Sequence, residues 1–177
     1  MNCLQTLAGI AAECNTSSMG GIKKVYLTNY DNISRVTLTS NVVTAITMTP
    51  NSYFYEYVFP KNTSSLTSTQ TIDEANCVNF VTSNLVLQFA KQDATKRVEI
   101  TALSQGRLAA IVVDANNTYW YLGYDNPVTA TAGNGQTGTA PTDGNFYNIT
   151  LTDVANTYPF TVDASIVPVL LDDGSEV

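Results

Sequence analysis

The chain of 177 residues contains no histidine. That absence removes the commonest general base, and with it any serine or cysteine triad of the usual kind. Cysteine is scarce too: Cys3, Cys14 and Cys77 have no CxxC spacing and leave a tetrahedral zinc site one ligand short. Cys3 and Cys14 admit two readings, a disulfide closing an N-terminal arm or two small buried apolar residues. Reducing cytosol favours the second.

Positive charge is equally thin. Eight Lys and Arg face fifteen Asp and Glu, for a net charge of −7, and only 13% of residues are charged, against roughly 25% in an ordinary soluble domain. Wrapping nucleic-acid phosphate needs clustered cations that this composition does not supply. An acidic surface suits instead a channel in which DNA slides without sticking, its repulsion screened beyond about 10 Å. No apolar run reaches the roughly 18 to 20 residues of a membrane span. The opening MNCLQTLAGIAAEC lacks the basic region of a signal peptide, so the expectation is a soluble chain made in the cytosol. Asn-x-Ser/Thr sequons at Asn15, Asn32, Asn62, Asn116 and Asn148 are what so much Asn, Ser and Thr produces by chance.

What is abundant is Thr, with 25 residues, and Asn, with 17. Thr suits a pleated, half-exposed strand and Asn suits turns, so the composition predicts a mainly β fold. Its length fits one domain able to bury a normal core.

Along the chain, residues 1–21 read as an arm ending in Gly20 and Gly21, where the direction can change. IKKVYLTNY sets Val25 and Leu27 against Lys24 and Tyr26, as a strand with one buried face does. RVTLTSNVVTAITM reads as a hairpin bending at Ser40 and Asn41. SYFYEYVF places Tyr53, Tyr55 and Tyr57 on one face and Phe54, Glu56 and Val58 on the other, either a central strand of one domain or an aromatic stripe buried against another subunit. After Pro60, the polar segment of residues 61–76 reads as a long loop or projection. VNFVTSNLVLQFAK resumes the sheet with Leu85, Leu87 and Phe89 in period two.

Asp93 is a good N-cap for a helix near residues 94–105, with Val98, Ala102 and Leu103 at helical spacing and Gly106 as its C′ stop. A buried strand from Leu108 to Val113, a turn at Asp114–Asn117 and an aromatic return strand form a hairpin. TATAGNGQTGTAPTDG is either a flexible linker or an ordered turn cluster; FYNITLT alternates as a strand. YPFTVDASIVPVLL supplies a final edge strand, where Pro159 and Pro168 are tolerated, and residues 168–177 form a tail.

The sequence displays no catalytic, phosphate-binding or calcium-binding pattern. Asp73 with Glu74, and Asp172 with Asp173, are mere neighbours, the pattern of solvated patches rather than a glycosidase pair. GNGQTG lacks the GK[ST] ending of a phosphate loop, and Asp114–Asn117 lacks the spacing of a calcium loop. Tyr119, Trp120 and Tyr121 suit a stacking platform less well than a strand burying Trp120 with its tyrosines at an interface, since no Arg accompanies them.

The order of hairpins, one mid-chain helix, a further hairpin and a long polar loop resembles the subunits of tailed-bacteriophage tail tubes and connector rings. The segments GGIKKVYLTNYDNI, KRVEITALSQGRLAAIVVDANNTYWYLGYDNPVTATAG and TGTAPTDGNFYNITLT resemble virion structural proteins of phages infecting gut Bacteroidales, including the crAss-like group; the likeness spans most of residues 20–163. The resemblance implies an antiparallel β-sandwich or half-barrel with one flanking α-helix, body residues 22–167, whose copies join sheets into a hexameric or twelvefold ring. It implies no catalytic residue, cofactor or metal. Its partners would be further copies, other tail or connector proteins, and DNA passing through the lumen without specific binding, all in a virion tail or neck. The short length and N-terminal arm depart from a generic tail tube and keep a neck ring or a capsid-bound protein open. The expected interface anchors are Tyr53, Tyr55, Tyr57, Leu66, Ile72, Trp120 and Tyr121. The competing expectations are a carbohydrate- or host-surface-binding β-sandwich module and a capsid-decorating auxiliary protein.

Overall fold

Period-two patterning governs most of the chain, and the computed structural model, which describes residue 10 and residues 18–171, is mainly β. Strand β1 (Ile22–Asn29) leads into β2 (Ile33–Thr39) and β3 (Val42–Met48), the expected hairpin. Ser40 and Asn41 take φ of 51° and 65°, the two left-handed residues that a tight twisted turn requires. β4 (Tyr55–Val58) is a four-residue strand. β5 (Ser65–Asp73) and β6 (Val78–Ala90) then pair in register from Ser65↔Val86 to Asp73↔Val78. Most of the segment expected as a loop at 61–76 is therefore strand. It has few core residues because one of its faces looks outward and Leu66 alone packs well on the other. Asp73 closes the β5–β6 turn by accepting from the Ala75 and Asn76 amides at 3.0 and 3.2 Å.

Helix α1 (Ala94–Gln105) has the predicted bounds, capped by Asp93 accepting from the Lys96 amide at 2.8 Å. Two details differ from expectation. Gly106 is extended, with φ −79° and ψ 155°, so it stops the helix without the left-handed turn. Its inward stripe is Lys96, Ile100 and Leu103, while Val98 and Ala102 face solvent. The helix flanks β9 (Thr129–Gln136) and β10 (Phe146–Ala155) at one side of the sheets.

Between them, β7 (Leu108–Asp114) and β8 (Tyr119–Leu122) form the predicted hairpin. The first half of TATAGNGQTGTAPTDG is neither a flexible linker nor a turn cluster but strand β9, which pairs along β10. The final edge strand is replaced by β11 (Phe160–Val162), which lies inside a sheet, parallel to β3 and antiparallel to β8. A single turn, α2 (Val167–Leu170), follows with Pro168 in its first turn and Leu170 buried, so ordered packing continues past residue 167. Cys3, Cys14, nearly all of the expected arm and the DDGSEV tail lie outside the described residues.

The strands make a seven-stranded sheet, ordered β2-β3-β11-β8-β7-β1-β4, and a four-stranded sheet, ordered β5-β6-β10-β9. Leu85, Leu87, Ile149 and Leu151 of the smaller sheet meet Val25, Leu27, Ala110, Val112 and Leu122 of the larger across the main core, with Leu103 of α1 at its side. The larger sheet buries its other face as well: Tyr26, Val43, Ala109, Ile111, Val113 and Tyr121 form a second core with Phe54, Val167 and Leu170. β7 thus buries both faces, which explains its continuous apolar sequence, and β1 has two buried faces rather than the one its alternation suggested. Gly123 is required where β8 ends: its φ is +94° and a Cβ would sit 3.2 Å from the Ala109 Cα.

Candidate functional site

The aromatic residues read as anchors do not share one surface. Tyr53 is half-buried, its carbonyl accepting from the Thr28 hydroxyl at 2.9 Å. Tyr55 is 55% exposed on β4. Tyr57 packs edge-on to Phe89 at 6.0 Å and donates to Glu99 of α1, and burial followed by that carboxylate raises its phenol pKa. Successive residues of a strand point to opposite faces, which separates Trp120 from Tyr121. Trp120 packs half-buried against the main core and donates its indole N–H to the Asp114 carboxylate at 3.2 Å. Tyr121 is 1% exposed in the second core, its hydroxyl without a hydrogen-bond partner. This reverses the expectation of a buried Trp120 with outward tyrosines: Tyr121 is an internal anchor and Trp120 the more exposed ring. Leu66 and Ile72 share the inner face of β5, Leu66 partly under the core and Ile72 64% exposed beyond it.

The stronger feature is the four-stranded sheet. Its two outer strands, β5 and β9, each pair on one side only. β5 runs nine residues with no proline and no charge before Asp73, and β9 runs eight with neither. Unpaired strands of that length and neutrality offer rows of backbone N–H and C=O groups to another chain, and ordinary domains blunt them with charge or proline. The larger sheet is blunted in that way. Its edge strand β4 has Glu56 bound to Lys24 at 2.9 Å and is followed by Pro60, and its other edge, β2, includes Arg35.

The outward face of the smaller sheet is also free of charge. Among the residues of its four strands the charged groups are Asp73, at an end, and Asp153, buried inside. Thr67, Asn84, Thr152 and Thr131 span the sheet there, with Thr152 donating to the Asn84 side-chain Oδ1 at 2.8 Å and sharing a 2.8 Å hydroxyl contact with Thr131. Sequence reasoning missed β9 as an edge because its Gly and Ala alternate with nothing apolar enough to mark a face.

Asp153 also escaped notice. It is 3% exposed on the inner face of β10 opposite Ser83, and its Oδ1 has no partner. Burial pushes its pKa up to about 6, opposed by the Gly123 amide that donates to it and reinforced by nearby Asp125. Among the described residues no group of three or more His, Cys, Asp or Glu is placed to hold a metal, and no helix is long and apolar enough to cross a membrane. Comparison of the chain with known protein families, with curated proteins and with solved structures gives no match.

Proposed function

We propose that this chain is a non-enzymatic structural protein that builds rings by joining sheets edge to edge, as a tail-tube or head-tail connector subunit of a tailed bacteriophage. The observation that supports the reading is the four-stranded sheet with two long, uncharged, proline-free edges. Its strands alternate in direction from β5 through β6 and β10 to β9, so β5 and β9 run oppositely. A copy rotated about an axis along the strands brings its β5 beside the first copy's β9 as an antiparallel pair. Such a heterologous contact repeats until the circle closes and leaves no free edge. Around that ring the sheet's neutral Thr and Asn face would be continuous, a surface that neither binds DNA phosphate tightly nor repels it strongly. The resemblance noted in the sequence supplies the virion setting.

The test is assembly itself. Native mass spectrometry and negative-stain microscopy of the purified chain at high concentration should find closed oligomers of one size. Thr69→Lys on β5 and Asn134→Lys on β9 place a charge on each edge and should each return the protein to monomers, while thermal stability moves by no more than about 0.5 kcal/mol. A wild-type chain that stays monomeric at all concentrations overturns the proposal.

A further inference from the structure

A cavity of about 520 Å³ opens between the two sheets beside β5, a size typical of a ligand or peptide-anchor pocket. Leu66 of β5, Ile22 and Val112 of the larger sheet, Trp120 and Tyr158 give it an apolar lining, and Met19, Gly20 and Gly21 form one lip. Two of its polar neighbours, Ser68 and Asp114, are already engaged within the chain. Ser68 shares a hydrogen bond with Ser83 at 2.7 Å. One oxygen of Asp114 accepts from the Asn116 and Thr118 amides at 2.8 and 2.9 Å, and the other takes the Trp120 indole N–H. A sugar needs free hydrogen-bonding groups converging on it. This pocket offers bare hydrocarbon and ring faces, so it fits apolar side chains of a peptide.

The same chain contains such a peptide. Residues 1–12 have no charged side chain, and Leu4, Leu7 and Ile10 recur along them before Glu13. Ile10, the described residue of that segment, is 102% exposed. The segment departs from the lip itself, where Asn116 holds Met19 by two hydrogen bonds, accepting from its amide at 2.8 Å and donating to its carbonyl at 3.0 Å. Seventeen residues extend to as much as roughly 55 Å, enough to cross to an adjoining copy. Ser65 and Leu66 at the pocket belong to β5, the edge where an adjoining copy would sit.

We propose that the pocket between β5 and the Trp120 strand is a receptor for the N-terminal segment, residues 1–17, of a neighbouring copy, which inserts Leu4, Leu7 and Ile10 as apolar anchors. The inference rests on the self-assembly reading above. Each subunit is then tied to the next by an exchanged arm as well as by a strand edge.

Trp120 is the only tryptophan and forms a wall of the pocket, so its fluorescence reports occupancy directly. Emission is read across a dilution series for the full chain and for a chain lacking residues 1–17, with native mass spectra of the same samples. The full chain should shift to the red as it is diluted to monomers. The truncated chain should be red at every concentration, and a synthetic peptide of residues 1–17 should restore the blue emission saturably while a peptide with Leu4, Leu7 and Ile10 all changed to Ser should not. Far-UV circular dichroism of the truncated chain establishes that it folds. Truncation that leaves the emission unchanged overturns the inference, and rings persisting in that sample leave the edge-joining proposal standing. Emission that reddens on truncation but is independent of concentration in the full chain assigns the seat to the chain's own arm and overturns the exchange. Monomers at all concentrations defeat both proposals.

Discussion

Asp153 is the residue whose environment departs furthest from what its sequence position announces. In FYNITLTDV it continues the inward row of Ile149 and Leu151, so the alternation that buries two hydrophobes also buries a carboxyl. Its folded pKa of about 6 lies above the ordinary carboxyl value of about 3.8, so the folded chain binds the extra proton between those values. Stability from this group therefore falls as pH rises from about 4 to about 6 and stays low above that. Asp153→Asn should remove the penalty: the variant and the parent should unfold alike near pH 4, and at pH 7.5 the variant should be more stable by on the order of 2 kcal/mol in urea titrations. Equal stability of the two at both pH values would mean that water or local opening solvates the carboxyl. At this scale the aromatic residues were legible as large buried groups, but which of Trp120 and Tyr121 faces which core was not. A strand buried on both faces gives no alternation by which to orient it.

Elements were read best where local chemistry is strong. The Asp93 cap, the Ser40–Asn41 turn and the β7–β8 hairpin all follow from short-range signals, and the structure places them where those signals lie. Asp93 has its pKa lowered, first by the Lys96 amide it accepts from, and Lys96 also stands 3.2 Å away as an ion pair. Asp93→Ala should lower the stability measured by chemical denaturation, with Asp93→Ser recovering most of it. β5 and β9 were not legible as strands for an opposite reason. Their stability comes from pairing with β6 and β10 and not from apolar side chains of their own, and such tertiary pairing leaves little pattern in a polar sequence. β11 was misplaced on the same ground, since three residues are too few to display a period.

At the scale of the molecule, β7 belongs to both cores, so neither core can come apart alone. Ile111→Ala opens the second core and Val112→Ala the first, and each should destabilise by roughly 1 to 4 kcal/mol. Both should lower one shared transition, seen as coincident melting by far-UV circular dichroism and by Trp120 fluorescence; two separated transitions would refute the coupling. The mainly β class with one flanking helix was legible from composition and period. The sheet order was not, because it depends on β11 slotting between strands distant in sequence. That placement has a consequence for biosynthesis. The β2–β3 hairpin joins the rest of its sheet through residues 160–162, and a ribosome adding about 5–20 residues per second delivers them on the order of ten seconds after β3. Throughout that interval the nascent hairpin waits with an open flank, and the sheet is completed only once residues 160–162 have been made.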